Sequence, residues 1–154
     1  MAKSDQKKTQ GKLSSELNII LSAPDKKIKM SGFAVALPAG DGVREIRGLH
    51  TPCLGTVDQG EMKYYKDEDT KNPEVYAVHN GFFKVLNDTL VILVHATEKV
   101  EDINVERARQ AKKRAAERLD RKKEEEGELD IVRAQMALRR ALTRINLWEQ
   151  HQNS

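Results

Sequence analysis

The spacing of apolar residues changes near residue 100. Before that point, short apolar runs such as Val75-Tyr76-Ala77-Val78 and Leu90-Val91-Ile92-Leu93-Val94 are separated by turn residues. Beyond residue 104, apolar residues recur every three or four positions, which is the spacing of one face of an α-helix. The pattern therefore predicts a β domain followed by a helical domain.

The region before residue 100 contains many short strand patterns. They lie at residues 17–21, 28–30, 33–37, 56–57, 62–65, 75–78, 83–85 and 90–94. Turn residues separate them, among them the segment 38–42, the polar segment 67–73 and Asn80-Gly81, which predicts a tight hairpin turn. Many short strands at close spacing are typical of a β sandwich.

The region after residue 102 predicts two amphipathic helices. Their apolar stripes consist of Ala108, Ala111, Ala115 and Leu119 on the first helix, and of Ile131, Ala134, Leu138, Ala141, Leu142 and Ile145 on the second. We expect Asp102 or Asn104 to cap the first helix. Gly127 is placed to end that helix, and Asp130 to cap the second, which should run to about residue 149.

Only a few residues separate the end of the first predicted helix from the start of the second, so the two helices should form an antiparallel hairpin. Each alanine in the stripes buries only one methyl group, worth about 0.8 kcal/mol. We therefore expect a weakly held hairpin with an accessible extended arrangement. The predicted fold class is α+β, with a flexible tail at residues 1–15, a β sandwich at 16–100 and a two-helix C-terminal domain at 101–154.

Composition excludes several classes of protein. The net charge of +3, spread over 27 basic and 24 acidic residues, argues against a dedicated nucleic-acid-binding protein. Cys53 is the only cysteine, which excludes an intrachain disulfide and a multi-cysteine zinc site. No segment approaches the roughly 20 apolar residues that cross a bilayer. We expect a soluble chain that reaches a membrane only through a protein partner.

Five motifs follow one another along the chain. They are Pro24-Asp25, the Leu37-Pro38 to Gly42 loop, His50-Thr51-Pro52, Tyr76-Ala77-Val78-His79-Asn80-Gly81-Phe82 and Ile103-Asn104-Val105-Glu106-Arg107-Ala108. In this order, from about residue 17 to the C-terminus, they resemble the epsilon subunit of the F-type rotary ATP synthase. That family has a flattened β sandwich followed by two helices.

The resemblance implies a non-catalytic subunit at the foot of the central stalk. Its sandwich would lie between the gamma subunit and the c ring, on the cytoplasmic face of the bacterial inner membrane, and would couple ion flow to rotation and ATP synthesis. The family's Gly-His-x-Pro loop, which faces the c ring, corresponds here to Leu49-His50-Thr51-Pro52. The resemblance thus assigns the c-ring contact to His50, Thr51 and Pro52.

The resemblance also implies a regulatory ATP site, although no cofactor is required. Some bacterial relatives bind ATP on the folded hairpin through Ile/Leu-Asp-x-x-Arg-Ala, and this chain has Asn104 in place of the aspartate. The corresponding residues are Glu98, Ile103, Asn104, Arg107, Ala108, Arg114, Arg140 and Arg144. Arginines from two helices can converge on phosphate oxygens. In the other interpretation, Asn104 only caps a helix and the arginines are solvated or paired with Glu106, Glu117 and Asp120.

The charged hairpin leads to a second regulatory hypothesis. When extended, the helices would reach up beside the gamma subunit and contact acidic segments of the catalytic beta subunits, which would block ATP hydrolysis. When folded down, they would release it. The candidate inhibitory contacts are Arg133, Arg139, Arg140 and Arg144. The alternative is that these charges solvate a static hairpin.

Nothing in the sequence predicts catalysis by this chain. The four histidines, at positions 50, 79, 95 and 151, lack metal-ligand spacing, and no glycine-rich phosphate loop precedes a helix. Leu147 and Trp148 are expected to anchor packing, or instead to meet the sandwich or the gamma subunit. Two rival functions are a nucleic-acid-binding module with a basic helix at 107–123 and a coiled-coil adaptor. Interleaved glutamates and the lack of an aromatic platform disfavour the first, and too few heptads disfavour the second.

Overall fold

The computed structural model describes residues 16–121 and 128–154. The strands are β1 (Leu17–Ala23), β2 (Lys26–Gly32), β3 (Ala34–Ala39), β4 (Gly42–Arg47), β5 (Cys53–Val57), β6 (Gly60–Tyr65), β7 (Glu74–Leu86) and β8 (Thr89–Lys99). A 3-10 turn at Val100–Asp102 leads into helix α1 (Val105–Arg121), and helix α2 covers Glu128–Gln152. The predicted change from strands to helices near residue 100 is therefore confirmed.

The two longest strands, β7 and β8, organise the sheet. The strand order is β2-β1-β8-β7-β6-β3-β4, and β5 also pairs with β7. Strand β6 pairs with the first part of β7, where Gly60 lies opposite Val78, whereas β5 pairs with the last part, where Cys53 lies opposite Val85. Because β7 has different partners along its length, the sheet divides into two layers around the β7–β8 ladder.

The space between the layers holds one apolar core. Its fully buried members include Leu17, Ile19, Leu21, Val35, Leu37, Ile46, Met62, Val78, Phe83, Val85, Leu90 and Ile92. Together with Val57 of β5, they come from seven of the eight strands, so the layers have no separate cores. This arrangement confirms the predicted β sandwich.

The prediction of a hairpin turn at Asn80-Gly81 is wrong, because β7 continues through both residues. Asn80 adopts a φ of 27°, and a Cβ atom added to Gly81 would lie 1.8 Å from the carbonyl oxygen of Leu93. The absence of a side chain at Gly81 therefore allows β8 to approach β7 closely. The turn itself lies at Asn87 and Asp88, whose φ values are 48° and 54°.

Strand β4 was not predicted from the sequence. Charged residues occupy three of its six positions, and Ile46 is its only member in the core. An edge strand pairs on one side only, so a single buried residue and the ladder to β3 are enough to hold it.

The predicted helical hairpin is confirmed. Asn104 caps α1, because its Oδ1 accepts a hydrogen bond of 2.9 Å from the backbone N–H of Arg107. The predicted cap at Asp130 is wrong: α2 begins at Glu128, so Asp130 lies in its first turn, 3.6 Å from Arg133. Gly127 and the tail at residues 1–15 lie outside the described residues.

The two helices pack through the predicted apolar stripes. Their buried members are Ala108, Ala115, Ala134, Ala141 and Ile145. An ion pair of 3.8 Å between Arg109 near the start of α1 and Glu149 near the end of α2 shows that the helices are antiparallel. The seam is made mostly of methyl groups, so it holds the helices close together with little buried area.

Gly81→Ala is expected to destabilise the sandwich by about 3 kcal/mol or more, because the new methyl group would overlap the Leu93 carbonyl and force β8 away from β7. Urea unfolding of the full chain measures the loss. Gly40→Ala is the matched control, since its new Cβ would lie 3.8 Å from Oδ2 of Asp58, an ordinary contact distance. Equal stability of the two variants would contradict this account of Gly81.

Candidate functional site

One end of the sandwich exposes a group of leucines. Leu49, Leu54 and Leu86 are 65%, 74% and 42% exposed. They lie together because Leu54 is opposite Lys84 on β7 and because the backbone N–H of Leu49 donates to Oδ1 of Asp88 at 2.6 Å. We call this surface the apolar end. Large apolar side chains grouped on a surface in this way mark a contact site.

The residues predicted to contact the c ring lie at the apolar end. Thr51 and Pro52 are exposed in the loop between β4 and β5, and His50 in the same loop is half-buried. Nδ1 of His50 lies 2.7 Å from the carbonyl oxygen of Thr51 and 3.8 Å from Sγ of Cys53. The bond between Leu49 and Asp88 ties this loop to the β7–β8 turn, so its exposed side chains are presented from a fixed backbone.

Helix α2 packs on the sandwich through one small apolar cluster near its C-terminal end. Leu147 is buried there against Ala77 of β7, Val100 and Ile103. Trp148 packs against the same cluster. Of the two predictions for Leu147 and Trp148, contact with the sandwich is the one that the structure shows.

Two further contacts between α2 and the sandwich are polar. The Arg144 guanidinium donates to Glu98 of β8, and Nε2 of Gln59 donates to Oγ1 of Thr143. Glu98 lies opposite Ala77 in the β7–β8 ladder, so the ion pair and the apolar cluster share one face of that ladder. The attachment of the hairpin is therefore narrow and largely polar.

His79 lies beneath α2 and is only 2% exposed. Neither of its ring nitrogens has a hydrogen-bond partner among the described residues. Burial, and then the positive charges of Arg144 and Arg140, lower the pKa of His79 to about 4. The imidazole is therefore neutral near pH 7, with one nitrogen carrying a proton that it can donate.

The structure separates the predicted ATP-binding residues into three groups. Glu98 and Arg144 pair with each other at the sandwich. Asn104 caps α1 and Arg107 is exposed beside it, whereas Ile103 and Ala108 are buried. Arg114 and Arg140 lie elsewhere, in a cleft between the two helices.

The interhelical cleft is strongly basic. It has a volume of about 560 Å³, and the described residues that line it include four arginines, Arg114, Arg118, Arg133 and Arg140, and one carboxylate, that of Asp130. Guanidinium groups from two helices in one cleft suit a phosphate-bearing ligand, because each can donate two parallel hydrogen bonds.

The four candidate inhibitory arginines have different environments. Arg133 and Arg139 are exposed on α2. Arg140 is half-buried and lies near His79, and Arg144 is half-buried against Glu98. Arg133 and Arg139 are thus accessible while α2 is docked. Arg144 faces the sandwich, and Arg140 lies between the sandwich and the interhelical cleft.

Within residues 16–121 and 128–154, no group of three or more histidine, cysteine or acidic side chains could hold a metal ion. In the same part of the chain, no helix has the length and apolar character needed to span a membrane.

Sequence reasoning missed the polar contacts beneath α2. In the sequence, His79 belongs to a family motif and lacks metal-ligand spacing. Gln59 and Thr143 belong to no motif and lie 84 positions apart along the chain. The parity of β7 offered a signal for His79: Ala77 packs against α2, and a residue two positions further along a strand points to the same face.

Two family models cover most of the chain. The model described as "ATP synthase, Delta/Epsilon chain, beta-sandwich domain" matches residues 16–100. The model described as "ATP synthase, Delta/Epsilon chain, long alpha-helix domain" matches residues 101–149.

Curated relatives agree with the family models. An ATP synthase epsilon chain of Lactobacillus johnsonii is 31% identical over 144 residues, which cover 85% of this chain and 99% of the relative. An ATP synthase epsilon chain of Halalkalibacterium halodurans is 33% identical over 132 residues, covering 85% of this chain and 96% of the relative.

Solved structures share the fold. A chain in the cryo-EM structure of Euglena gracilis mitochondrial ATP synthase, OSCP/F1/c-ring in rotational state 1, aligns with a TM-score of 0.63 at 15% identity, covering 90% of this chain and 85% of that one. A chain in the Tetrahymena thermophila mitochondrial ATP synthase central stalk/c-ring structure aligns with a TM-score of 0.52 at 13% identity, covering 90% and 97%. At these low identities, the two alignments show only that the fold is shared. From the two family models and the close relatives together, the chain belongs to the ATP synthase epsilon-chain family and is a non-catalytic subunit of that complex.

Proposed function

We propose that this chain lies at the foot of the central stalk, with its sandwich between the gamma subunit and the c ring, and that its hairpin regulates ATP hydrolysis. It is peripheral, on the cytoplasmic face of the bacterial inner membrane, and contacts the membrane only through the complex. The observation that carries the proposal is the narrow, largely polar attachment of α2 at one end of the β7–β8 ladder, with the apolar end at the other end of the same ladder.

Coupling of ion flow to rotation requires a rigid domain between the c ring and the gamma subunit. The single packed core supports this role, because close-packed interiors transmit strain with little compression. The apolar end supplies a surface that the c ring can contact. Exposed leucines lose contact with water there, and His50, Thr51 and Pro52 lie on the same loop.

Regulation by the hairpin requires that α2 leave the sandwich at modest cost. The attachment consists of one apolar cluster centred on Leu147, the Arg144–Glu98 pair and the Gln59–Thr143 hydrogen bond. A partly exposed ion pair contributes about 1 kcal/mol or less, and burial of Leu147 with part of Trp148 contributes about 4 kcal/mol. The undocked arrangement is therefore within a few kcal/mol, which keeps it accessible as a minor state.

The undocked hairpin differs from the docked one in its free positive charge. Release of α2 separates Arg144 from Glu98 and brings Arg140 out from beside His79. Together with Arg133 and Arg139, these side chains form a basic surface. We assign to this surface the contact with acidic segments of the catalytic beta subunits in the inhibited state.

ATP is the proposed regulatory ligand of the docked hairpin. Arg114 and Arg140 face the same interhelical cleft, which suits the phosphates. A ligand that binds only the folded hairpin stabilises it by mass action and so opposes the inhibitory, extended state. Asn104 is engaged as the cap of α1, so this proposal gives it no part in binding the phosphates.

Leu54→Asp is expected to lower ion pumping per ATP hydrolysed by at least about two-fold in the assembled complex, because a carboxylate would have to be desolvated at the ring contact. Val43→Asp is the matched control, since Val43 is 77% exposed on the hairpin between β3 and β4. Equal pumping by both variants would count against a ring contact at the apolar end.

Leu147→Ala is expected to weaken the docking of α2 by about 2 kcal/mol or more and so to slow ATP hydrolysis by the assembled complex. Deletion of residues 127–154 should instead raise hydrolysis, because it removes the inhibitory surface. Val132→Ala, at a position 48% exposed, is the control and should leave the rate unchanged. Hydrolysis that is insensitive to the deletion would contradict the proposed regulation.

Arg114→Ala is expected to weaken ATP binding to the isolated chain by about ten-fold or more, since it removes a bidentate phosphate donor. Titration calorimetry measures the affinity, and Arg121→Ala at the exposed end of α1 serves as a charge-matched control. The proposal fails if the unmodified chain shows no ATP binding, or if both variants bind ATP equally well.

A further inference from the structure

A second basic recess lies between α2 and the sandwich. It is a small cavity of about 30 Å³, lined by Gln59, His79, Asn80, His95, Met136, Arg139 and Arg140. Four of its residues, Gln59, Asn80, His95 and Arg139, also line an open cleft of about 770 Å³ along the flank of α2. The recess is thus the inner end of a larger, solvent-open cleft.

Three side chains of the recess, those of His79, Arg139 and Arg140, lack hydrogen-bond and ion-pair partners among the described residues. His79 is buried with both ring nitrogens unbonded, although buried polar atoms in folded proteins nearly always have a partner. Among the described residues, neither Arg139 nor Arg140 has a carboxylate within ion-pairing distance, whereas Arg144 nearby is paired with Glu98. Two uncompensated guanidinium groups therefore lie beside an unsatisfied imidazole.

The charges that face the recess come from both packed elements. Helix α2 contributes Arg139 and Arg140, and the strands contribute the neutral His79 and the exposed His95. Among the described residues that line the wider cleft, Asp58 is the one carboxylate, and it does not line the recess. An anion would relieve the repulsion between the arginines. It would also accept a charge-assisted hydrogen bond from the ring N–H of His79.

From this arrangement we propose that the recess and the adjoining cleft bind inorganic phosphate, with one oxygen in the recess beside His79 and the others facing Arg139 and His95. The recess admits one water-sized atom, which matches one phosphate oxygen, and the open cleft has room for the rest. Neutral donors such as the side-chain amides of Gln59 and Asn80 complete a set typical of oxyanion sites.

The position of the site gives the ligand a structural consequence. His79, His95 and Asn80 belong to the sandwich, whereas Arg139 and Arg140 belong to α2. A phosphate that contacts both stabilises the docked hairpin by mass action. Arg140 lines both this recess and the interhelical cleft, but of these two Arg139 and the histidines line only the recess, so the two sites have different residue sets. Binding does not depend on the regulatory role, because the isolated chain contains every residue involved.

The test is titration of the full chain with sodium phosphate at constant ionic strength, followed by calorimetry and by the imidazole ¹⁵N signals of His79. Saturable binding with a dissociation constant of roughly 1 mM or tighter is expected, together with a shift of the His79 signals. Arg139→Gln and His95→Gln change exposed residues, so both variants should fold, and each should weaken binding by about five-fold or more.

Two further arms decide where the anion lies. Arg121→Gln, outside both clefts, should bind phosphate as the unmodified chain does, and Arg114→Gln reports on the interhelical cleft. Loss of binding in Arg114→Gln but not in Arg139→Gln would place phosphate between the helices and overturn the proposal. It would also be overturned by an equal response to sodium chloride, or by no change in the His79 signals, which is the result expected if only water occupies the recess.

Discussion

The β7–β8 ladder is the constraint on which the other features depend. Its two strands approach so closely at Gly81 that no other residue fits there, and they belong to both layers of the sandwich. One half of the ladder presents Ala77, His79 and Glu98 to α2, and its turn at Asn87 and Asp88 fixes the loop of the apolar end. The same pair of strands thus connects the surface that holds the helices with the surface assigned to the ring.

The two domains are stabilised in different ways. The sandwich has a continuous core of large side chains from seven strands, so its strands separate only when that core is exposed to water. The hairpin has a seam of alanines and one docking cluster around Leu147. Its polar contacts, Arg144 with Glu98 and Gln59 with Thr143, exchange for water at little net cost. A rigid base with a detachable arm follows from this difference in buried apolar area.

The sequence predicted the fold where periodicity and packing agree. Alternating strands and the alanine stripes of α1 and α2 follow directly from which faces are buried. Prediction was wrong at Asn80-Gly81, because glycine permits both a tight turn and a close approach of strands, and only the tertiary pairing with Leu93 decides between them. At the site, the resemblance supplied Glu98 and Arg144 as members of one set, but it did not indicate that they pair with each other. The recess around His79 depends on residues from β7, β8 and α2, which no local pattern connects.

Native-state hydrogen exchange of the isolated full chain tests the difference between base and arm most directly. The account predicts that backbone amides of α1 and α2 exchange through a common partial opening, at a free energy several kcal/mol below that of amides in the β7–β8 ladder. Amides of the ladder should exchange only by global unfolding. Equal protection of helices and ladder would show that the hairpin opens only when the sandwich does, and would contradict a detachable arm.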